Sequence, residues 1–270
     1  ESDSGERIVA EPCVLLRGRG HRRGLFLGVV GQSEHLSSLW LETSADGEFC
    51  ELGLDCEFDG VALGAGEQRG THWLLIREYE QEPAVLRWYA DLVADHLQVP
   101  QPPPAKPTLY CSWYFYGLTF GESDLDENLA ELHERPIPFD VFMIDGSWMD
   151  DFGTWQANAE WPGGMKAAAE KIRAAGLEPG IWTCPFVVMA ESLILEKYPD
   201  LVARDAAGEP CLFGYQGPTC YGVDVTAPSA PAYFNDLYGR LRDWGYRYHK
   251  LDFLRAIITA ENIVFHDRSL

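Results

Sequence analysis

Lys250 and Asp252 stand two residues apart in the segment Tyr246-Arg247-Tyr248-His249-Lys250-Leu251-Asp252-Phe253-Leu254. In an extended strand that spacing sends both side chains to one face. A neighbouring cation favours the ionised form of a carboxylate. An ionised carboxylate held in place can attack an electrophilic carbon such as the anomeric centre of a sugar. The bland alternative is a buried ion pair that satisfies itself, which is costly to bury without a purpose. Asp145 closes a second apolar segment, Phe139 to Asp145, in which five of the six preceding residues are apolar. A carboxylate stranded there needs a partner, because an unpaired buried charge is strongly unfavourable. Sugar hydroxyls or a backbone turn with Gly146 would each serve. Trp113, Trp148, Trp155, Trp161 and Trp182 are the aromatic stock of this region. The C–H face of a pyranose stacks on such rings. Core packing is the alternative for each of them, and Trp161, beside Pro162, leans that way.

These residues need elements to hold them. Short apolar segments and segments of helical period alternate after residue 108. Leu109 to Phe115 reads as a strand, followed by a helix with Ser123 and Asp126 as its capping pair and Leu125, Leu129 and Leu132 inward. Phe139 to Asp145 is a second strand. A helix from Gly164 to Ala175 faces inward with Met165, Ala169 and Ile172, and Leu177 to Pro185 is a third strand. A helix from Pro231 to Trp244 aligns Phe234, Leu237, Leu241 and Trp244, and Tyr246 to Leu254 is a fourth strand. Four strand–helix steps in series predict an α/β fold with parallel strands and helices outside. The alternation by itself permits a doubly wound sheet or a barrel. Trp113, Asp145, Trp182 with Cys184, and Lys250 with Asp252 all fall at strand ends, where a barrel carries its chemistry. His249 alternates with the Lys250–Asp252 pair and should point away from it.

Val99 to Pro107 packs five prolines into nine residues, which reads as an extended linker over 99–107. The region ahead of it, 1–98, has β-rich segments at Gly24 to Val30, Ser37 to Glu42, Leu52 to Phe58 and Thr71 to Ile76. These predict antiparallel sheet. An amphipathic helix from Pro83 to Leu97, with Val85, Trp88, Leu92 and Val93 on one face, closes the region. The third region is 108–270.

Composition excludes several functions. The 270 residues carry 42 acidic against 21 basic side chains, a formal charge of -21. That charge repels phosphate backbones and anionic lipid, so neither nucleic acid nor membrane is an expected partner. No apolar run approaches the roughly 20 residues of a bilayer span. Seven cysteines form no C-x-x-C pair, and free thiols in a reducing, cytoplasmic setting are expected, with secretion the alternative. Gly18-Arg19-Gly20 lacks the strand–turn–helix setting of a dinucleotide site, and there is no Walker or H-E-x-x-H motif. Seven scattered histidines predict no metal cluster.

The segment from Tyr246 to Leu254 resembles the nucleophile motif of bacterial α-galactosidases of the melibiase type, glycoside hydrolase family 36. Gly180-Ile181-Trp182-Thr183-Cys184-Pro185-Phe186 is similar to that family's third-strand segment, and Trp161-Pro162-Gly163-Gly164-Met165 and Gly222-Val223-Asp224-Val225-Thr226 also match. The likeness runs in order from about Pro107 to Leu254. It implies the first half of a (β/α)8 barrel of the TIM type, preceded by part of an antiparallel β-sandwich. It further implies hydrolysis of terminal α-galactosyl residues, in small α-galactosides or oligosaccharides, by double displacement with retention. Asp252 would be the nucleophile, Lys250 and Asp145 would hold ring hydroxyls, and Trp113 and Trp182 would line the sugar site. No metal or organic cofactor is implied.

Two departures stand out. The family commonly has a second aspartate where this chain has Gly146, which admits another α-linked sugar such as N-acetylgalactosamine, or a sugar-binding or transglycosylating relative. The family's general acid/base lies at the end of strand six, beyond Leu270. A retaining pair needs carboxyls roughly 5–5.5 Å apart, and neither Asp145 nor Glu191 sits where the family has its acid. Four strands would also expose two parallel edges. The chain is therefore expected to be part of a larger enzyme, inactive alone, or to form a homo-oligomer by pairing with a second copy.

Overall fold

The computed structural model describes residues 7–31, 35–58, 61–100, 106–214, 217–256 and 263–267. They form two compact units that divide within the proline-rich segment. Residues 101–105 of the expected linker lie outside the described residues.

The first unit holds β1 (Arg7–Ala10), β2 (Cys13–Leu16), β3 (Gly24–Val30), β4 (Leu36–Thr43), β5 (Phe49–Glu57), β6 (Trp73–Tyr79) and α1 (Glu82–His96). It has two antiparallel sheets, in the orders β1-β4-β5 and β2-β3-β6. Side chains alternate along β3, and that alternation joins three layers. Leu27 and Val29 meet Leu39, Leu52 and Leu54 of the other sheet. Phe26 points the opposite way and packs with Tyr79 and with Val85 and Tyr89 of α1. Gly28 shares the Phe26 face, where a Cβ would come within 2.7 Å of the Phe26 ring and 2.8 Å of Tyr89. Its missing side chain lets α1 approach closely enough for the Tyr89 hydroxyl to donate to the Val29 carbonyl at 2.6 Å. The helix starts and stops within one residue of its expected bounds, but Tyr89, not Trp88, joins Val85 as its buried contact.

The second unit runs β7 (Leu109–Cys111), α2 (Trp113–Tyr116), α3 (Glu122–Glu134), β8 (Val141–Ile144), α4 (Gly164–Ala174), β9 (Glu178–Thr183), β10 (Val187–Met189) and α5 (Ile194–Lys197). It continues with β11 (Arg204–Asp205), β12 (Leu212–Phe213), β13 (Cys220–Gly222), α6 (Ala230–Trp244), β14 (Tyr248–Leu251) and β15 (Ile263–Val264). β7, β8, β9 and β14 make one parallel sheet in the order β14-β9-β8-β7. β8 is buried along its whole length and β9 nearly so, whereas β7 and β14 at the edges are only partly covered. Their compositions follow, since a parallel strand covered on both faces reads as a continuous apolar run. Helices α3, α4 and α6 make the crossovers. α4 buries Met165, Ala168, Ala169 and Ile172, and α6 buries Ala230, Tyr233, Leu237 and Leu241. Gly245, at φ 103, ends α6 in the left-handed conformation that glycine adopts freely. The chain then turns into Tyr246, whose buried hydroxyl donates to the Met165 carbonyl at 3.0 Å. β10, β13 and β12 form a separate antiparallel sheet, and β11 pairs with β15.

The structure corrects two expectations. The strand expected over Leu109 to Phe115 stops at Cys111, because the Ser112 carbonyl accepts the Tyr116 N–H at 3.0 Å and the aromatic run turns into α2. Trp113 is therefore on a helical turn and not on a strand. α3 is capped at Gly121 and not Ser123, since the Asp124 carboxylate accepts the Gly121 N–H at 2.9 Å. The four expected parallel strands and the three helices between them are all present. No helix among the described residues is long and apolar enough to cross a membrane.

Candidate active site

Register assembles the site. β8 runs beside β9 with Ile144 opposite Ile181, and β9 beside β14 with Trp182 opposite Lys250. Asp145, one residue past β8, thus reaches the level of Trp182 and Lys250, and Asp252 follows one residue past β14. Trp113, Asp145, Trp182, Lys250 and Asp252 line a single cavity of about 320 Å3 at the carboxyl end of the sheet, with Gly146 and Phe253 among its other walls. That volume lies at the lower end of the roughly 300–1,000 Å3 typical of small-molecule sites.

Asp145 is 2% exposed, and protein groups occupy both its oxygens. Oδ1 accepts the Gly146 N–H at 2.8 Å, while Oδ2 accepts from the Lys250 ammonium at 2.7 Å and from the Cys111 thiol at 3.3 Å. Its own N–H donates to the Ser112 hydroxyl at 3.0 Å. Burial draws the Lys250 pKa down, but the hydrogen bond and charge of Asp145 outweigh it, with Cys111 and Asp252 adding smaller pulls, and the ammonium ends above its ordinary value. Burial, with Asp145 alongside, pushes the Cys111 thiol up and keeps it a proton donor. An ammonium has three donors, so Lys250 keeps donors for a ligand.

The expected Lys250–Asp252 ion pair is replaced by one between Lys250 and Asp145, across β9. Asp252 is held otherwise. Its backbone N–H donates to the Thr183 carbonyl at 2.8 Å, its Oδ1 accepts the Phe253 N–H at 2.9 Å, and its Oδ2 accepts the Trp182 indole N–H at 3.0 Å. Trp182 is 5% exposed, and its carbonyl accepts the Trp148 indole N–H at 2.9 Å. Trp113 is 45% exposed on the rim.

The remaining tryptophans take the core reading. Trp148, Trp155 and Trp161 are buried, and the Trp155 indole donates to the Tyr233 hydroxyl at 2.9 Å. Cys184 is buried in the same core. His249 points away as expected, edge-on to Tyr238 with ring centroids 5.6 Å apart. Glu191 is exposed and outside the cavity. Sequence reasoning missed Cys111 and Ser112, which grip Asp145. Their one signal is position, immediately before Trp113 at the end of an apolar segment.

A mostly apolar hollow with one ion pair that keeps free donors and one carboxylate fixed at both oxygens can seat a polyhydroxylated ring and offer it a nucleophilic oxygen. The melibiase family model matches residues 85–267. This chain belongs to the melibiase family. Its fold superposes on the Thermus thermophilus α-galactosidase TtGalA with a TM-score of 0.71 and 30% identity, over 92% of this chain and 46% of that one. The Geobacillus stearothermophilus α-galactosidase AgaA shares the fold at a TM-score of 0.65 and 14% identity, over 93% of this chain and 37% of that one. The Lactobacillus acidophilus α-galactosidase Mel36A is 24% identical over 114 residues, 39% of this chain and 15% of its own. This melibiase chain thus spans less than half the length of these relatives.

Proposed function

We propose that this chain carries the nucleophile-bearing first half of the catalytic (β/α)8 barrel of a retaining α-galactosidase, preceded by part of a β-sandwich domain. The observation that carries the reading is the convergence of Asp145, Trp182, Lys250 and Asp252 on one cavity at the carboxyl ends of consecutive parallel strands. The strand order supports a barrel, because each new strand is added on the same side, whereas a doubly wound sheet reverses its order at a switch point. Two antiparallel sheets packed through Leu27, Val29 and Leu39 support the sandwich.

In this reading Asp145 and Lys250 grip ring hydroxyls, and Asp252 attacks the anomeric carbon. The bond to the leaving group breaks, and its oxygen takes a proton from a carboxylic acid. Water then displaces Asp252 from the β-galactosyl ester while the same carboxylate accepts the water's proton. Glu191 is outside the cavity, so the acid/base is assigned to a part of the complete enzyme beyond these strands. Substrate class is drawn from TtGalA, solved with p-nitrophenyl α-D-galactopyranoside and with stachyose. Gly146 favours a second reading, a bulkier α-linked sugar such as N-acetylgalactosamine, because it leaves the wall beside the Trp182 ring without a side chain.

Hydrolysis of paired aryl α-galactoside and α-N-acetylgalactosaminide substrates by the complete enzyme, followed by NMR, tests both readings. Initial release of α-galactose is the expected result. Preference for the acetamido sugar selects the second reading, and a β-configured first product would overturn retention altogether.

A further inference from the structure

Asp252 begins where the β14 ladder ends, so no backbone hydrogen bond of the ladder fixes its carboxylate. Two donors do so. One is the N–H of Phe253, a non-glycine residue at φ 51, in the left-handed region that side chains rarely adopt. The other is the indole N–H of Trp182 on the neighbouring strand. Trp182 is itself immobilised: the Trp148 indole holds its carbonyl, Phe253 stands edge-on to its ring at 6.1 Å, and Phe152 packs at 5.9 Å. Such a buried ring presents its only polar atom, a donor with no acceptor capacity, to one oxygen of Asp252.

We propose that Trp182 is a positioning residue whose indole N–H stabilises Asp252 as it leaves the sugar in the second half of the reaction. The inference rests on the reading of Asp252 as nucleophile. A hydrogen bond to a carboxylate is stronger than one to a neutral ester. Forming the glycosyl ester therefore weakens the Trp182 bond, and breaking the ester restores it. In that second step the water oxygen bonds to the anomeric carbon, and the bond between carbon and Asp252 breaks with its electron pair returning to the carboxylate. The water's proton passes to the general-base carboxylate. Trp182 lowers the barrier to this step and does nothing to assist the first.

The test replaces the Trp182 indole with benzothiophene in the complete enzyme, exchanging N–H for sulfur at nearly constant shape, with Trp182→Phe as a second variant. Turnover of a nitrophenyl α-galactoside is measured together with the intact mass of acid-quenched enzyme. Loss of one hydrogen bond to a charged group predicts that kcat falls about 10- to 100-fold. KM should fall with it, leaving kcat/KM undiminished or raised, and the quenched protein should carry one extra galactosyl group. An unchanged kcat would overturn the proposal, as would a fall in kcat and kcat/KM together without a galactosyl adduct. Absence of turnover of both the α-galactoside and the α-N-acetylgalactosaminide by the unsubstituted enzyme would reject the Asp252 reading first, before a Trp182 variant is compared.

Discussion

At the scale of single residues the site depends on the Lys250–Asp145 pair, in which the Asp145 side chain is 3% and the Lys250 side chain 35% exposed. Lys250→Met leaves Asp145 buried with a thiol and a backbone N–H as its donors. Solvent reaches the lysine end, so the expected loss is about 1–3 kcal/mol, below the roughly 3–5 kcal/mol of a fully buried pair broken on one side. Denaturant unfolding at neutral pH measures it. The pH dependence has a definite sign. Lys250 titrates higher folded than unfolded, so its contribution is whole below the ordinary lysine pKa and disappears as pH rises through the elevated one. In Lys250→Met the alkaline fall in stability should be smaller. Burial draws His249 the other way, below its ordinary value. The unfolded chain then takes up that proton more readily, and stability should fall as pH drops below the usual histidine range. His249→Phe should flatten that acid limb in thermal melts between pH 7.5 and pH 5.

At the scale of elements, the crossover helices carry the parallel sheet, and their ends set where the site residues fall. Gly245→Ala would hold alanine at a φ of 103, with its Cβ 2.6 Å from the Arg173 guanidinium. The left-handed conformation costs an L-residue about 1–2 kcal/mol, and the clash adds to it. A drop of at least that size in unfolding free energy is expected, and an unchanged midpoint would show that the turn relaxes freely. The elements were largely legible in the sequence, because buried parallel strands such as Val141–Ile144 are unbroken apolar runs and α4 repeats small and apolar residues at helical spacing. The ends of the elements were less so. Trp113-Tyr114-Phe115-Tyr116 has strand-forming composition, and it turns because the Ser112 and Trp113 carbonyls accept the Tyr116 and Gly117 N–H groups. The candidate site was legible as a set of residues but not as a network. Asp145 and Lys250 are 105 positions apart, and their pairing depends on the register of two strands against β9. Sequence spacing offered the nearer Asp252 instead.

At the scale of the whole molecule two features act together. The formal charge of -21 makes the compact state repel itself. Moderate sodium chloride should therefore raise the melting temperature of the chain by screening, an effect that scanning calorimetry across salt concentrations reads directly. The parallel sheet has β7 and β14 at its ends, with Leu109 and Leu251 exposed there. Open parallel edges invite pairing with more strand. The chain on its own should therefore self-associate in light scattering. A monodisperse monomer of the isolated chain would contradict the half-barrel.

Asp252→Ala in the complete enzyme, assayed with a nitrophenyl α-galactoside with and without sodium azide, tests the central claim most directly. Without azide, turnover should fall by about 10³-fold or more, as for other enzymes stripped of their nucleophile. With azide, the small anion should enter the space left by the carboxylate and attack the same face of the sugar, giving β-galactosyl azide identifiable by NMR. Undiminished hydrolysis by the variant, or an azide product of α configuration, would contradict the account.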